Sequence, residues 1–160
     1  MKKKILIISY YWPPAGGPGV QRWLKFVKYL PEFNISPVLF VPENANYPIN
    51  DNSLKSEVSN DLEIIKLPIF ELSNFFPRLK SLNSIRSGNI SKNKNQSILQ
   101  KIIFFIRGNL FIPDMKIFWK RNSVNFLKKY LSENNIETII TTGPPHSIHL
   151  IGLELKRKLN

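Results

Sequence analysis

The chain has 160 residues, of which 42% are hydrophobic, so a single domain with one sizeable core is expected. It contains no cysteine, which excludes disulfides, thiolate metal sites and a cysteine nucleophile and favours a reducing, cytoplasmic compartment. The formal net charge of +12 predicts an anionic partner, which is nucleic acid, acidic lipid or a phosphorylated ligand.

The N-terminal segment predicts a strand, a loop and a helix in that order. Residues 5–8 are four consecutive apolar residues, which is typical of a strand covered on both faces. Six prolines and glycines within residues 13–19 exclude regular structure there, and apolar residues then recur at helical spacing over residues 20–30. The apolar run is too short for a secretory signal, and no stretch reaches the roughly 20 apolar residues of a membrane span.

The following segment predicts more strands of the same sheet. Residues 37–41 and 62–67 read as second and third strands, separated by a polar surface loop at residues 44–60. A strand–helix–strand unit of this length favours a right-handed parallel crossover, so we expect an α/β fold. The Ser/Asn/Lys-rich stretch within residues 72–97 predicts a mobile excursion.

The last third predicts two or three helices and one strand. Residues 98–106 predict a short helix, and Pro113 and Asp114 suit the start of a longer one. Residues 137–142 predict a fourth buried strand, which runs into a Gly-Pro-Pro loop and a final helix from residue 148 onward.

Two strand–loop–helix junctions therefore follow Tyr10 and Thr142, and both loops are rich in proline and glycine. In an open parallel sheet such loops lie at the carboxyl ends of the strands, where ligands bind, so we expect them to face each other. Neither the dinucleotide fingerprint nor a Walker loop is present. From the residues alone, a phosphate-binding helix start and a simple tight turn remain alternative interpretations of the first loop.

The second loop carries a histidine beside a predicted helix start. His146 would donate a hydrogen bond to a hydroxyl or phosphate, or it is an ordinary histidine of a capping region. His149 follows three residues later, but without an HExxH spacing, cysteines or a third ligand we expect no metal site. Arg22 either reaches an anion or is a solvated surface arginine.

The middle of the chain interleaves cations with aromatic residues. Residues 78–121 contain ten basic residues against one acidic residue, Asp114, and include Phe104, Phe105 and Trp119. This mixture suits an anionic membrane surface or single-stranded nucleic acid. We favour the membrane and expect no nucleic acid partner, because no RNA- or DNA-binding signature accompanies it. The third interpretation is that the aromatic residues are core and the lysines are solvated.

With these residues in hand, the chain resembles the N-terminal domain of a glycosyltransferase of the GT-B architecture, in the large retaining family 4. The resemblance rests on ILIISYYWPPAGGPGVQRWLKFVKYL at the start, IPDMKIFW in the middle and TIITTGPPHSIHLIGLELK near the end. It implies a Rossmann-like parallel sheet with helices on both faces, and it makes residues 1–160 the acceptor-side domain.

In that family two Rossmann-like domains enclose a cleft. The N-terminal domain mainly holds the acceptor, and the C-terminal domain holds the nucleotide-sugar donor. The resemblance implies that Gly16 and Gly17 approach the donor diphosphate through their backbone amides, with Gln21 and Arg22 nearby.

The resemblance also implies roles on the acceptor side. Tyr10, Tyr11 and Trp12 would border the acceptor, and the loop of His146, a candidate catalytic residue, would meet the transferred sugar. The implied enzyme moves a sugar from a nucleotide-sugar to a lipid-linked or polysaccharide acceptor in cell-surface glycan synthesis, without metal or cofactor. It would work in the cytoplasm, at the inner face of the plasma membrane.

The family's C-terminal donor domain has no counterpart in these 160 residues. We therefore expect the chain to be a fragment that lacks transferase activity by itself. The alternative class is a non-catalytic Rossmann-like module that binds an anion or a lipid.

Overall fold

The computed structural model describes residues 2–70, 105, 109 and 111–159. They form an α/β, Rossmann-like fold, as predicted, in which a four-stranded parallel sheet is flanked by helices. In chain order the elements are β1 (Lys3–Ser9), α1 (Pro18–Tyr29), a 3-10 helix (Leu30–Phe33), β2 (Ile35–Pro42), a second 3-10 helix (Asn52–Glu57), β3 (Glu63–Leu67), α2 (Ile117–Glu133), β4 (Thr138–Thr142) and α3 (Ser147–Leu159). The predicted excursion at residues 72–97 lies outside the described residues, as does nearly all of the predicted helix at residues 98–106.

The strand order in the sheet is β3-β2-β1-β4. Ile5 in β1 lies opposite Pro37 of β2 on one side and opposite Thr138 of β4 on the other. The chain thus moves outward from β1 to β3 and then returns to the other side of β1. The order reverses between β1 and β4, and the carboxyl ends of these two strands are adjacent.

The apolar run in β1 is continuous because its two faces are buried in different cores. Ile5 and Ile7 pack with the inward residues of α1, including Leu24. Leu6 and Ile8 belong to the core on the opposite face, with residues of α2 and α3. A strand buried on both faces has no solvent-facing position for a polar residue, so alternation is absent.

The prediction that the fourth strand is buried is wrong. All five residues of β4 are only partly buried. Among the described residues β4 pairs with β1 on one side and has no strand on the other. Strand burial depends on neighbours supplied by the tertiary structure, and the apolar residues Ile139 and Ile140 alone do not determine it.

Candidate functional site

An open cleft of about 700 Å³ lies at the carboxyl ends of β1 and β4. It is bordered by the first loop (residues 10–17) and by the second loop (residues 143–146). Its lining comes from β1, the first loop and the start of α1, from residues 48–49, and from residues 142–144. The two loops that the sequence predicted to face each other thus line one cleft, whose size is typical of small-molecule sites.

The first loop leads into the N-terminus of α1. Gly17 is the N-cap residue, with φ 113° and ψ 165°, a conformation that residues with a side chain rarely adopt. Its carbonyl accepts hydrogen bonds from the amides of Val20 (3.1 Å) and Gln21 (3.2 Å). Because Val20 and Gln21 donate to this carbonyl and Pro18 has no amide hydrogen, the amide of Gly19 is the one in this first turn that, together with the helix dipole, would attract an anion. Gly17 and Gly19 of this turn both line the cleft.

Gly16 has a different structural role from Gly17. Its amide donates to the carbonyl of Ile49 (2.9 Å), and the amide of Asp51 donates to the carbonyl of Pro14 (2.7 Å). A Cβ on Gly16 would lie 3.0 Å from the Ile49 side chain and 3.1 Å from the Cβ of Asp51. Gly16 therefore lets residues 49–51 pack against the first loop, a role that the sequence analysis missed because this stretch reads as an ordinary surface loop.

Arg22 and Gln21, which were predicted to lie near a diphosphate, differ in whether they line the cleft. Arg22 is exposed and is the charged side chain among the described residues that line the cleft. Gln21 is exposed on the same turn but is not among these lining residues. The roles of both residues toward a diphosphate stay predictions.

The three aromatic residues after β1 point to different places. Tyr10 is 1% exposed and belongs to the core beneath α2 and α3, whereas Trp12 is 3% exposed in the core beneath α1. Tyr11 is partly exposed and lines the cleft, and its ring lies 5.9 Å from that of Tyr47. The acceptor role of the three stays a prediction, and Tyr11 is the member that lies along the cleft.

Trp23 lines the cleft, although its helical spacing is also compatible with a core residue. The ring packs edge-on against Phe26, with 5.4 Å between the centroids. Its indole Nε1 is buried and has no hydrogen-bond partner among the described residues. A buried donor without a partner is uncommon, and here it belongs to a side chain on the cleft wall.

The second loop brings both histidines together around Gly143. A Cβ on Gly143 would lie 2.7 Å from Nε2 of His149 and 3.5 Å from Nδ1 of His146. The His149 ring is held by a 2.8 Å hydrogen bond between its Nδ1 and the hydroxyl of Thr141. Gly143 lines the cleft, but His146 is not among the described lining residues, and its catalytic role stays a prediction. The sequence analysis considered His149 only as a metal ligand, and the structure places it beside the second loop instead.

Asp114 has a role that the sequence analysis did not identify. One carboxylate oxygen accepts from the amide of Ser147 and the other from its hydroxyl, both at 2.8 Å. The amide of Lys116 also donates to this carboxylate, at 2.8 Å. Asp114 lies just before α2, which begins at Ile117. Its carboxylate caps the N-terminus of a different helix, α3, at a residue 33 positions later in the chain.

The described part of the middle segment is divided between core and surface. Trp119 is 2% exposed and stacks on Phe40, with 4.9 Å between the ring centroids. Phe118 is 47% exposed and packs edge-on against Phe70 and Phe111. Core packing, the third interpretation, therefore applies to Trp119 but not to Phe118, and the membrane partner stays a prediction.

Within the described ranges, no group of three or more histidine, aspartate or glutamate side chains is able to hold a metal ion. No helix in the part of the chain that the structure describes is long and apolar enough to cross a bilayer. Comparisons with protein-family models, with curated proteins and with solved structures found no match for this chain.

Proposed function

We propose that the chain is the acceptor-side domain of a retaining glycosyltransferase. It would move a sugar from a nucleotide-sugar donor to a hydroxyl of a lipid-linked or polysaccharide acceptor in cell-surface glycan synthesis. The proposal starts from the resemblance of the sequence motifs. The observation that carries it is the cleft at the point where the strand order reverses, since open α/β sheets bind their ligands there.

Different residues of the cleft lining suit different parts of the substrates. The start of α1 offers the amides of Gly17 and Gly19, the positive end of the helix dipole and the Arg22 guanidinium, which together suit a diphosphate. The exposed Ile49 and the partly exposed Tyr11 offer apolar surface for an acceptor. A second Rossmann-like domain would bind the nucleotide and close the cleft.

The composition of the cleft also suits a retaining transfer. If the leaving phosphate assists the attacking hydroxyl, few protein side chains need to act as acid or base. No carboxylate lines the cleft among the described residues, and hydrolytic enzymes that work with paired carboxylates require two of them there. The proposed chemistry needs no metal or cofactor.

Binding of inorganic pyrophosphate to the purified 160-residue chain tests the anion site directly. Arg22→Met is expected to weaken binding roughly tenfold in isothermal titration calorimetry, the loss of about one charge-assisted hydrogen bond. Lys28→Met is the matched control, because Lys28 is an exposed cation on the same helix and does not line the cleft. Equal weakening by both variants would mean that net charge, and not this site, attracts the anion.

Two further measurements separate the transferase from the alternative, a non-catalytic anion- or lipid-binding module. The isolated chain is expected to give no turnover with nucleotide-sugars under either proposal, whereas measurable transfer would rule out the binding module and overturn the expectation that this chain is inactive by itself. Deletion of its gene should remove a cell-surface glycan, which the gene should restore. An unchanged glycan profile would contradict the transferase proposal and leave the binding module.

We also propose that the domain works at an anionic membrane surface. The net charge of +12 and exposed apolar residues near the start of α2, including Ile112 and Phe118, support this. The chain should float with liposomes that contain anionic lipid at low salt and be released at high salt. A failure to float at low salt would count against the membrane.

A further inference from the structure

We infer that Asp114 and Lys116 form a bracket that holds the two cleft loops at a set distance from each other. Both residues lie in the turn before α2, outside the cleft itself. The contacts of the two residues are seen in the structure itself. The consequence for ligand binding rests on the function proposed above.

The first arm of the bracket reaches the second loop. The Asp114 carboxylate accepts two hydrogen bonds from Ser147; Ser147 is 2% exposed and Asp114 is partly buried. Hydrogen bonds to a carboxylate are stronger than those between neutral groups, and the negative charge lies at the positive end of α3. Ser147 directly follows the loop whose Gly143 and Pro144 form one wall of the cleft.

The second arm reaches the first loop. The Lys116 ammonium lies 4.7 Å from the centroid of the Tyr10 ring, a cation–π contact with a residue that is 1% exposed. Tyr10 is the first residue after β1, and its neighbour Tyr11 lines the cleft. The Lys116 amide donates to the same Asp114 carboxylate that holds Ser147, so one carboxylate fixes both Ser147 and the backbone from which the Lys116 side chain extends to Tyr10.

The bracket makes Asp114 a positioning residue. Asp114 does not line the cleft. The residues of its two arms, Ser147 and Tyr10, lie next to the second and the first loop, which form the cleft walls. A cleft whose walls are fixed before binding loses less conformational entropy when the ligand enters. Removal of the carboxylate should therefore loosen both loops together, whereas a simple helix cap would affect only the loop next to α3.

Nuclear magnetic resonance of the 160-residue chain separates the bracket from a simple cap. Asp114→Ala should shift the Tyr10 ring resonances as well as the Gly143 and Ser147 amide resonances. Ser147→Ala removes one hydrogen bond of the first arm and should shift only the second-loop resonances. Asp114→Asn, which keeps the side-chain size, provides a folded variant with smaller shifts at both loops. Tyr10 resonances that stay unchanged in both Asp114 variants would overturn the bracket.

Titration with inorganic pyrophosphate tests the consequence for binding. Asp114→Ala should weaken binding roughly fivefold through lost preorganisation. Ile136→Val, a buried substitution before β4 at the end of the sheet away from the cleft, lowers stability and should leave binding unchanged. Unchanged affinity in Asp114→Ala would overturn the positioning role. If the unmodified chain binds no pyrophosphate, the proposed anion site fails, and the resonance shifts still decide whether the bracket exists.

Discussion

Replacement of Gly152 by alanine tests how closely α3 packs on β4 behind the cleft. A Cβ at this position would lie 2.7 Å from the Cγ2 methyl of Thr141 and 4.0 Å from its Cβ and hydroxyl oxygen. A separation of 2.7 Å between two carbon atoms is far below van der Waals contact, so the helix or the strand has to move. Thr141 also holds His149, so the strain would reach the second loop.

Two opposing terms determine the size of the effect. Alanine is favoured over glycine within a helix by about 1 kcal/mol. Overpacking a close contact costs about 1–3 kcal/mol, because the backbone or the rotamer has to adjust. We therefore expect Gly152→Ala to lower the free energy of unfolding by about 1 kcal/mol, which corresponds to a decrease of roughly 2–4 °C in Tm for a chain of this size.

A second substitution relieves the clash without removing the hydrogen bond to His149. Thr141→Ser deletes the Cγ2 methyl and retains the hydroxyl, which can still bond to the imidazole. The methyl itself contributes at most about 0.8 kcal/mol. The double variant lacks the methyl that clashes with the alanine, so this variant should be more stable than Gly152→Ala alone. The expected coupling energy between the two substitutions is about 1 kcal/mol or more.

Urea unfolding of the four proteins, followed by far-ultraviolet circular dichroism, measures these differences. The dependence of the free energy on urea should be the same for all four, because the surface exposed on unfolding does not change. A Gly152→Ala chain that is more stable than the unmodified chain by about 1 kcal/mol would refute the close packing of α3 on β4, since helix propensity would then act alone. Strict additivity in the double variant would refute it equally.

Three further predictions concern single residues. Gly17→Ala should lower the free energy of unfolding by about 1–3 kcal/mol, because φ is 113° at this position. Gly19→Ala is the control and should be tolerated, because a Cβ there would meet no atom within 4 Å. Equal effects of the two substitutions in thermal melts would contradict the strain at Gly17. Burial raises the pKa of Tyr130 above its ordinary value of 10.0, so its contribution to stability is complete below pH 10 and falls as the pH rises further. Absorbance at alkaline pH should contain a delayed tyrosine component that decreases in Tyr130→Phe, and an unchanged titration curve in this variant would contradict the raised pKa. A hydrogen bond from Lys120 lowers the pKa of Glu154 below its ordinary value of 4.5, so the stabilisation is present above pH 4.5 and is lost as the pH falls through the lowered pKa. The Tm difference between the unmodified chain and Glu154→Gln should therefore shrink in acid, and a difference independent of pH would count against this ion pair.

The course of the backbone could be predicted from local patterns. The four apolar residues at 5–8 predicted a strand buried on both faces, and β1 is such a strand. Helical spacing predicted α1 to within a few residues, although Pro18 extends it by two residues at its start. These predictions succeed because strand and helix periodicity is a property of residues that are close in the sequence. The same reasoning placed a loop at the carboxyl end of β1 and another after β4.

The composition of the cleft followed from the sequence only in part. The two loops were predicted to face each other, and both line the same cleft, as does Arg22 but not Gln21 among the described residues. The residue after β1 that lines it, Tyr11, could not be separated from Tyr10 and Trp12, because an irregular loop has no periodicity from which side-chain directions follow. Trp23 belongs to the apolar residues at helical spacing over residues 20–30, and this spacing indicates which residues share a helix face but not whether that face meets the core or the cleft.

The sequence by itself determined the α/β order of the elements, the two Pro/Gly loops at strand ends and the excess of positive charge. Only the tertiary structure decided that residues 49–51 pack against Gly16, that β4 is partly exposed and that Asp114 caps α3. Each of these depends on a contact between residues that are far apart in the chain. A carboxylate at position 114 has no local signal for a partner 33 residues later, because that partner is selected by how α2 and α3 pack on the sheet.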